Sequence, residues 1–377
     1  MIGDCDNPMR RQAKSVPSLM RQIYQDIEFR TRYILTTPEI YSLQNIILIG
    51  CGDSYCAALA AKTAFERLTQ LPVWVMNPLD LARYYPAHLL APSPNNPCIV
   101  ALSNSGQVAR VVEAVTRCKQ KGGLTIAVTS DKRSRLAESS DKVVEMVLET
   151  AEHAPGIRSY VAMMVTLYLL AIRLGEVKLR YTMETANRYR DAILRTGQTM
   201  EENFHETDAK CFEIASTFKD STYFEFIGSG PDFATAWYGH EKIYEAVGRP
   251  ATYTDAETWF HVSFFNRESA NTLSVLTADT QNPAHSRSIE LATKMKAMGQ
   301  RLVVVSNRPE EFQAELPVRV ADCGYDWLAP LAQFIPHALI AGYIAALNSE
   351  AYHRGFAGVW ADDPSSASTT DSQIVVV

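Results

Sequence analysis

Residues 99–107 read Ile-Val-Ala-Leu-Ser-Asn-Ser-Gly-Gln, and valines follow at positions 108, 111, 112 and 115. The apolar run predicts a buried strand, and the valines at helical spacing predict a helix with one buried face. Between them, small polar side chains and a glycine predict a tight loop. The first N–H groups of a helix and its dipole favour an anion, and serine hydroxyls add hydrogen-bond donors. The sequence therefore predicts that this loop holds the phosphate of a ligand.

Strands alternate with helices on both sides of this loop. In the first half of the chain, the predicted strands are residues 46–49, 73–76, 98–102, 124–128 and 143–148. Continuous apolar runs of this kind are typical of buried parallel strands. The alternation predicts a doubly wound α/β sheet.

The second half of the chain repeats the same order. Its predicted strands are residues 223–227, 272–276, 302–305 and 318–320. Gly50 lies 53 residues before Ser103, and Gly228 lies 50 residues before Ala278. An internal repeat is a strong indication of architecture. We therefore expect two α/β lobes related by duplication, each with a parallel sheet between helices.

The predicted organisation has five parts. They are a helical lead-in (1–40, with a helix opening at Pro17), a first lobe (41–177), a helical connection (178–218), a second lobe (219–349) and a tail (350–377). The longest apolar segments are residues 161–172 and 328–347. The first is too short to span a bilayer of ~30 Å, and the second contains Gln333, Pro336 and His337. Both are predicted to be core helices, so no membrane partner is expected.

Composition narrows the classes of function. The chain has 377 residues, 47% hydrophobic and 21% charged, with a net charge of −6. No basic stripe is present, which argues against nucleic acid as a partner. The seven cysteines are scattered without a Cys-x-x-Cys pair, and no cluster has the spacing of metal ligands. These features, with a polar N-terminus that lacks a signal peptide, predict a cytoplasmic protein with reduced thiols and no metal site.

Four motifs carry a resemblance to a known family. They are residues 50–54 (Gly-Cys-Gly-Asp-Ser), 103–106 (Ser-Asn-Ser-Gly), 156–159 (Gly-Ile-Arg-Ser) and 242–245 (Lys-Ile-Tyr-Glu) with His261. On these motifs the chain resembles the tandem sugar isomerase (SIS) domain family over residues 17–363. The resemblance implies two flavodoxin-like α/β/α lobes and a homodimer or higher homo-oligomer with sites shared between subunits. It also implies a phosphorylated sugar or amino sugar as ligand.

The resemblance assigns a set of substrate- and phosphate-binding residues. They are Gly52, Ser54, Ser103, Asn104, Ser105, Gln107 and Ser159. Val108 stands where the family has a threonine, which removes one hydroxyl. The plain alternative is that the serines of the loop are ordinary turn residues next to a helix.

The resemblance places the chemistry in the second lobe. Glu245 and His261 have the family's spacing, and Lys242 precedes Glu245 by one helical turn on the same face. A desolvated carboxylate can move a proton between neighbouring carbons, and a histidine can assist ring opening. No metal or organic cofactor is required, because the substrate's carbonyl or imine stabilises the developing charge. A Lys-x-x-Glu pair is, however, often a solvated surface pair, and His240 is the best substitute for His261.

The sequence leaves the reaction open. Deglycation of a fructosamine 6-phosphate, aldose–ketose isomerisation and deamination all fit the predicted site. Residues 355–377 contain no lysine or arginine, so the family's C-terminal lysine has no counterpart. With no glutaminase segment at its start, the chain is not expected to make glucosamine 6-phosphate from glutamine. The alternative is a non-catalytic sensor of phosphorylated sugars.

Overall fold

The computed structural model describes residues 2–267, 271–350 and 365–377. These residues divide into two compact lobes. Lobe 1 comprises residues 19–150, 159–193 and 365–377. Lobe 2 comprises residues 2–18, 151–158, 194–267 and 271–350.

Lobe 1 contains a five-stranded sheet. Its strands are β1 (Asn45–Ile49), β2 (Val73–Met76), β3 (Pro97–Leu102), β4 (Leu124–Thr129) and β5 (Lys142–Glu145). All neighbours are parallel, in the order β2-β1-β3-β4-β5. The helices between residues 8 and 218 are α1 (Pro8–Tyr33), α2 (Thr37–Ser42), α3 (Asp53–Thr69), α4 (Pro78–Arg83), α5 (Ala109–Gln120), α6 (Arg135–Ser139), α7 (Arg158–Val177) and α8 (Met183–Phe218).

Lobe 2 repeats the topology. Its strands are β6 (Tyr223–Ile227), β7 (Ala251–Thr254), β8 (Thr272–Thr277), β9 (Leu302–Ser306) and β10 (Leu316–Arg319), in the parallel order β7-β6-β8-β9-β10. Its helices are α9 (Pro231–Lys242), α10 (Ala256–His261), α11 (His285–Ala297) and α12 (Pro330–Leu347), and α13 (Ser365–Thr370) lies near the C-terminus. Both sheets therefore have the 2-1-3-4-5 order of flavodoxin-like folds.

Burial explains why the central strands form. Every residue of β1, β3, β8 and β9 is buried, whereas the edge strand β2 leaves Trp74 43% exposed. Strands covered by helices on both faces need side chains that are apolar throughout. In lobe 1, one face of α5, including Val111 and Val115, packs on Ile99 of β3 and Ala127 of β4. The predicted fold class, two parallel-sheet α/β lobes, is confirmed.

Helix α1 begins nine residues before the predicted start at Pro17, so that prediction is wrong. Pro17 lies inside the helix. Met9, Ala13 and Val16 are fully buried, and their spacing continues the apolar face toward the N-terminus. A proline is usually a helix start, but the burial of this stripe outweighs the one backbone hydrogen bond that Pro17 cannot make.

Two other expectations have clear outcomes. Helices α7 and α12 are long and apolar enough to cross a membrane, but 83% and 89% of their apolar windows are buried inside the fold, as predicted for core helices. Strand β7 was not predicted, because Ala-Thr-Tyr-Thr is short and weakly apolar. Residues 351–364 of the predicted tail lie outside the described residues.

Candidate functional site

The loop at the carboxyl end of β3 is a tight turn that fixes its own glycine. The N–H of Gly106 donates to both the carbonyl oxygen and the Oγ of Ser103, each at 3.1 Å. Gly106 has φ +64°, and a Cβ at this position would lie 2.1 Å from Oγ of the buried Ser134. No other residue fits this backbone without displacing its neighbours.

The loop is attached to the end of the next strand through the carbonyl of Asn104. That oxygen accepts hydrogen bonds from the Ser130 N–H at 3.0 Å, the Ser130 Oγ at 2.7 Å and the Thr129 Oγ1 at 3.1 Å. Asn104 and Ser105 are exposed, whereas Ser103 is buried. The carbonyl is therefore held inward while the amide side chain of Asn104 and the hydroxyl of Ser105 face solvent.

The two loop serines take the turn roles of the plain alternative without losing their donors. Ser103 Oγ accepts from Gly106, and Ser105 Oγ accepts from the N–H of the half-buried Gln107 at 3.3 Å. A hydroxyl that accepts one hydrogen bond keeps its O–H proton for a ligand oxygen. The turn role and the phosphate-binding role are therefore compatible.

The second predicted loop lies next to the first, because β1 and β3 are neighbours and Ile49 pairs with Ala101. Gly52 has φ +54° and precedes α3, whose first turn contains Ser54, 7% exposed. Strand order reverses between β1 and β3, and in open α/β sheets ligands bind at this point. The structure thus brings together Gly52, Ser54 and residues 103–107 at the carboxyl edge of lobe 1.

Two helices begin at this edge without a side-chain cap. Among the described residues, neither Gly52, which precedes α3, nor Val108, which precedes α5, makes a side-chain hydrogen bond to the helix that follows it. The first N–H groups of a helix need partners, and the positive end of its dipole favours an anion. The remaining predicted residue, Ser159, is half-buried in the first turn of α7.

Lys242 and Glu245 form a close ion pair in lobe 2. Helix α9 continues through a π-helical turn, Ile243–Val247, which ends at Gly248 with φ +68°. Lys242 is the last residue of α9, and its Nζ lies 2.5 Å from Oε2 of Glu245 in this turn and 4.8 Å from the centroid of the Tyr238 ring. Lys242 is fully buried, and the Glu245 side chain is 38% exposed. The pair is not a solvated surface pair, because the buried ammonium group needs this carboxylate.

His261 and Glu245 have different interaction partners. It is the last residue of α10, and its ring Nε2 lies 3.0 Å from Glu257 Oε1. The His261 side chain is 72% exposed. Hydrogen bonds from His261 and Arg287 hold the pKa of Glu257 below its usual range. In the described interactions, His261 is engaged with Glu257, whereas Glu245 is engaged with Lys242.

The substitute histidine, His240, is packed among aromatic rings. Its ring centroid lies 5.2 Å from that of Tyr244 and 4.7 Å from that of Tyr253. Burial lowers the pKa of His240. This environment favours a neutral packing residue over a group that titrates during a reaction.

The sequence profile of the SIS domain matches residues 39–173, which include both loops of lobe 1. This stretch of the chain is therefore similar to a SIS domain. Within residues 2–267, 271–350 and 365–377, no group of three or more histidine, cysteine, aspartate or glutamate side chains could hold a metal ion.

One curated relative of this chain is the glutamine–fructose-6-phosphate aminotransferase (isomerizing) of Clostridium perfringens. The two are 27% identical over 243 residues, which is 63% of this chain and 38% of the relative. The chain spans half or less of the length of the curated relatives it matches.

Solved structures establish the fold across both lobes. The C-terminal domain of glucosamine-fructose-6-phosphate aminotransferase from Francisella tularensis is 16% identical, with a TM-score of 0.80. The alignment covers 92% of this chain and 96% of that one. Glucosamine-6-phosphate deaminase from Thermotoga maritima, also 16% identical, gives a TM-score of 0.69 and covers 92% and 95%.

Sequence reasoning missed a buried polar network in lobe 2. Asp232 and Asp279 are 1% and 3% exposed and lie at the carboxyl ends of β6 and β8. Burial raises their pKa values to about 7 and about 6. The sequence did contain a signal for the position of Asp232. The glycines of Gly-Ser-Gly-Pro-Asp (228–232) align with those of Gly-Cys-Gly-Asp-Ser (50–54), which places Asp232 at the position of Ser54.

Proposed function

We propose that the chain is a phosphosugar enzyme of the isomerase class, and that residues 103–107 with Ser54 bind the phosphate of its substrate. The observation that supports this most is the meeting of two uncapped helix starts with a hydroxyl-rich loop where the strand order reverses. Exposed Asn104 and Ser105 supply an amide and a hydroxyl there. This donor set suits a dianionic phosphate in a chain whose net charge is −6.

We assign the proton transfer to Glu245. In aldose–ketose isomerisation, a base removes the proton from the carbon beside the carbonyl, and the proton returns to the neighbouring carbon. The carboxylate of Glu245 can perform both steps. This carboxylate is paired with the ammonium group of the buried Lys242. His261, exposed on α10, is assigned to ring opening or to protonation of a leaving group.

Within this class we favour a ketosamine or ketose 6-phosphate as substrate. Deglycation of a fructosamine 6-phosphate consumes water and releases an amine and a sugar phosphate, and deamination of an amino sugar phosphate consumes water and releases ammonia. Isomerisation consumes no water, and all three reactions can use the same proton transfer between neighbouring carbons. The relatives named for fructose-6-phosphate amination and glucosamine-6-phosphate deamination support an amino-sugar or hexose phosphate.

We also propose a cytoplasmic homodimer with shared sites. Its seven free thiols are consistent with a reducing compartment, and light scattering measures its mass.

The test is hydrogen exchange at the sugar carbon in D2O. With fructose 6-phosphate or a fructosamine 6-phosphate, the wild type should incorporate deuterium beside the carbonyl, as read by NMR. Glu245→Gln should bind the sugar phosphate with unchanged affinity but lose ~100-fold or more of the exchange rate. Glu310→Gln is the matched control, because Glu310 is an exposed partner of Arg319.

The alternative is a sensor that binds without chemistry. It would be favoured if wild type and Glu245→Gln bound hexose 6-phosphates equally and neither exchanged deuterium. Loss of binding in a Ser105→Ala protein would still support the phosphate loop in that case. If neither protein bound any phosphorylated sugar, the whole proposal would be wrong.

A further inference from the structure

The first loops of the two lobes correspond residue by residue. A Cβ on Gly50 would lie 2.6 Å from the backbone of Ser54, and a Cβ on Gly228 would lie 2.4 Å from the backbone of Asp232. The glycine before each helix also has the same backbone, with φ +54° and ψ −132° in lobe 1 and φ +58° and ψ −127° in lobe 2. Ser54 in lobe 1 is therefore equivalent to Asp232 in lobe 2.

The second loops correspond in the same way. The N–H of Ser103 donates to the carbonyl of the next strand at 3.1 Å, and the N–H of Ala278 does the same at 3.0 Å. Ser103 is therefore equivalent to Ala278, and Asn104 is equivalent to Asp279. Two of these positions lie beside the point where the strand order reverses. In lobe 1 they hold the neutral residues Ser54 and Asn104, whereas in lobe 2 they hold the acids Asp232 and Asp279.

The carboxyl group of Asp232 is surrounded by N–H donors. Its Oδ2 accepts from the backbone N–H of Asp279 at 2.9 Å and from Asn282 Nδ2 at 2.8 Å. Its Oδ1 accepts from Gln333 Nε2 at 2.8 Å. A group of converging N–H donors at a helix N-terminus is how proteins bind an oxyanion. Here the oxyanion is part of the chain.

We infer that Asp232 is a built-in anion, which fills in lobe 2 the place that a ligand's phosphate takes in lobe 1. Lobe 2 then binds no sugar phosphate at this position, so each chain binds a single sugar phosphate, in lobe 1. The comparison with phosphate rests on the proposed function of lobe 1, whereas the role of the Asp232 carboxylate rests on lobe 2 alone.

The neighbouring groups act on the Asp232 carboxyl in opposite directions. Asp279, 3% exposed, would repel any second anion at the same place, and its charge adds to the effect of burial in raising the pKa of Asp232. Burial raises the pKa of Asp232, and the three donated hydrogen bonds oppose that rise. All three contacts come from N–H groups, which favour an ionised acceptor over a protonated one.

The first test separates a needed anion from a merely buried acid. If the donors require a carboxylate, Asp232→Asn lowers the melting temperature at pH 8, because an amide NH2 then faces N–H donors. If Asp232 is only a buried charge, the same neutral and nearly isosteric change raises the melting temperature, and the inference is wrong. The matched control is Asp322→Asn, which changes an exposed acid near Asp279.

The second test replaces the carboxylate from solution. In the Asp232→Ala protein, sodium formate should raise the melting temperature by about 2–4 °C more than sodium chloride of equal ionic strength, with no such difference in the wild type. Equal effects of the two salts on a folded Asp232→Ala protein would overturn the inference. If this variant does not fold, the Asp232→Asn result decides.

The third test counts ligands. Titration of the wild type with glucose 6-phosphate should give one site per chain, and two sites per chain would overturn the inference. Absence of any binding would instead count against the proposed function of lobe 1. The two melting experiments would then decide the role of Asp232 without it.

Discussion

Gly106→Ala tests how strictly the proposed phosphate-binding loop, residues 103–107, depends on its backbone. At φ +64° an alanine costs about 1–2 kcal/mol. Its Cβ would also lie 2.1 Å from Ser134 Oγ and 2.8 Å from Thr129 Oγ1, and both of these side chains are fully buried. Overpacking of this kind costs about 1–3 kcal/mol. The expected loss is therefore about 2–5 kcal/mol in the free energy of unfolding, measured by urea denaturation.

The matched control is Gly299→Ala. Gly299 has a similar φ of +71°, but nothing lies within 4 Å of the position of its Cβ. This variant should lose only the backbone contribution of about 1–2 kcal/mol. Gly106→Ala should also weaken binding of glucose 6-phosphate at least tenfold by calorimetry, because the loop must move to relieve the clash, whereas Gly299→Ala should bind normally. Equal stability and equal affinity in the two variants would refute this account of the loop.

Three further predictions concern single side chains. Burial lowers the pKa of His337 to about 4, so the unfolded chain binds a proton that the folded one excludes. Lowering the pH from ~7.5 to ~5 therefore reduces the free energy of unfolding by about 2 kcal/mol through this group. In denaturation experiments over the same pH range, His337→Gln should lose about 2 kcal/mol less than the wild type. Burial raises the pKa of Glu225, which accepts from Trp259 Nε1, so ionisation destabilises the fold as pH rises. Glu225→Gln should therefore raise the melting temperature more at pH 8 than at pH 5, and an equal rise would contradict this. Ser54→Asp should reproduce the internal anion of lobe 2 and abolish binding of glucose 6-phosphate, whereas Ser54→Asn should retain more of it in the same titration.

Much of the fold could be predicted, because its strands are buried on both faces and are therefore apolar throughout. Strands β2 and β6 match the prediction at both ends. The predicted fifth strand extended to residue 148, but β5 ends at Glu145, which pairs with Thr129, the last residue of β4. Strand β7 had too weak an apolar signal and is fixed instead by parallel pairing with β6.

The geometry of the candidate site was predictable in part. Loop 103–107 combines a local motif with a helix start, and both are visible in the sequence. The complete burial of Lys242 was not visible, because it depends on packing from outside its own helix. The three donors around Asp232 come from residues 47 to 101 positions away, and no local pattern announces such contacts.

The most direct test of the central claim is a crystal structure with fructose 6-phosphate bound. The account predicts the phosphate within hydrogen-bond distance of Ser54 and of residues 103–107. It also predicts that the carboxyl group of Glu245 from one of the subunits lies within reach of the first two sugar carbons. A phosphate bound elsewhere, or a Glu245 carboxyl group remote from the sugar in every pairing of subunits, would contradict it.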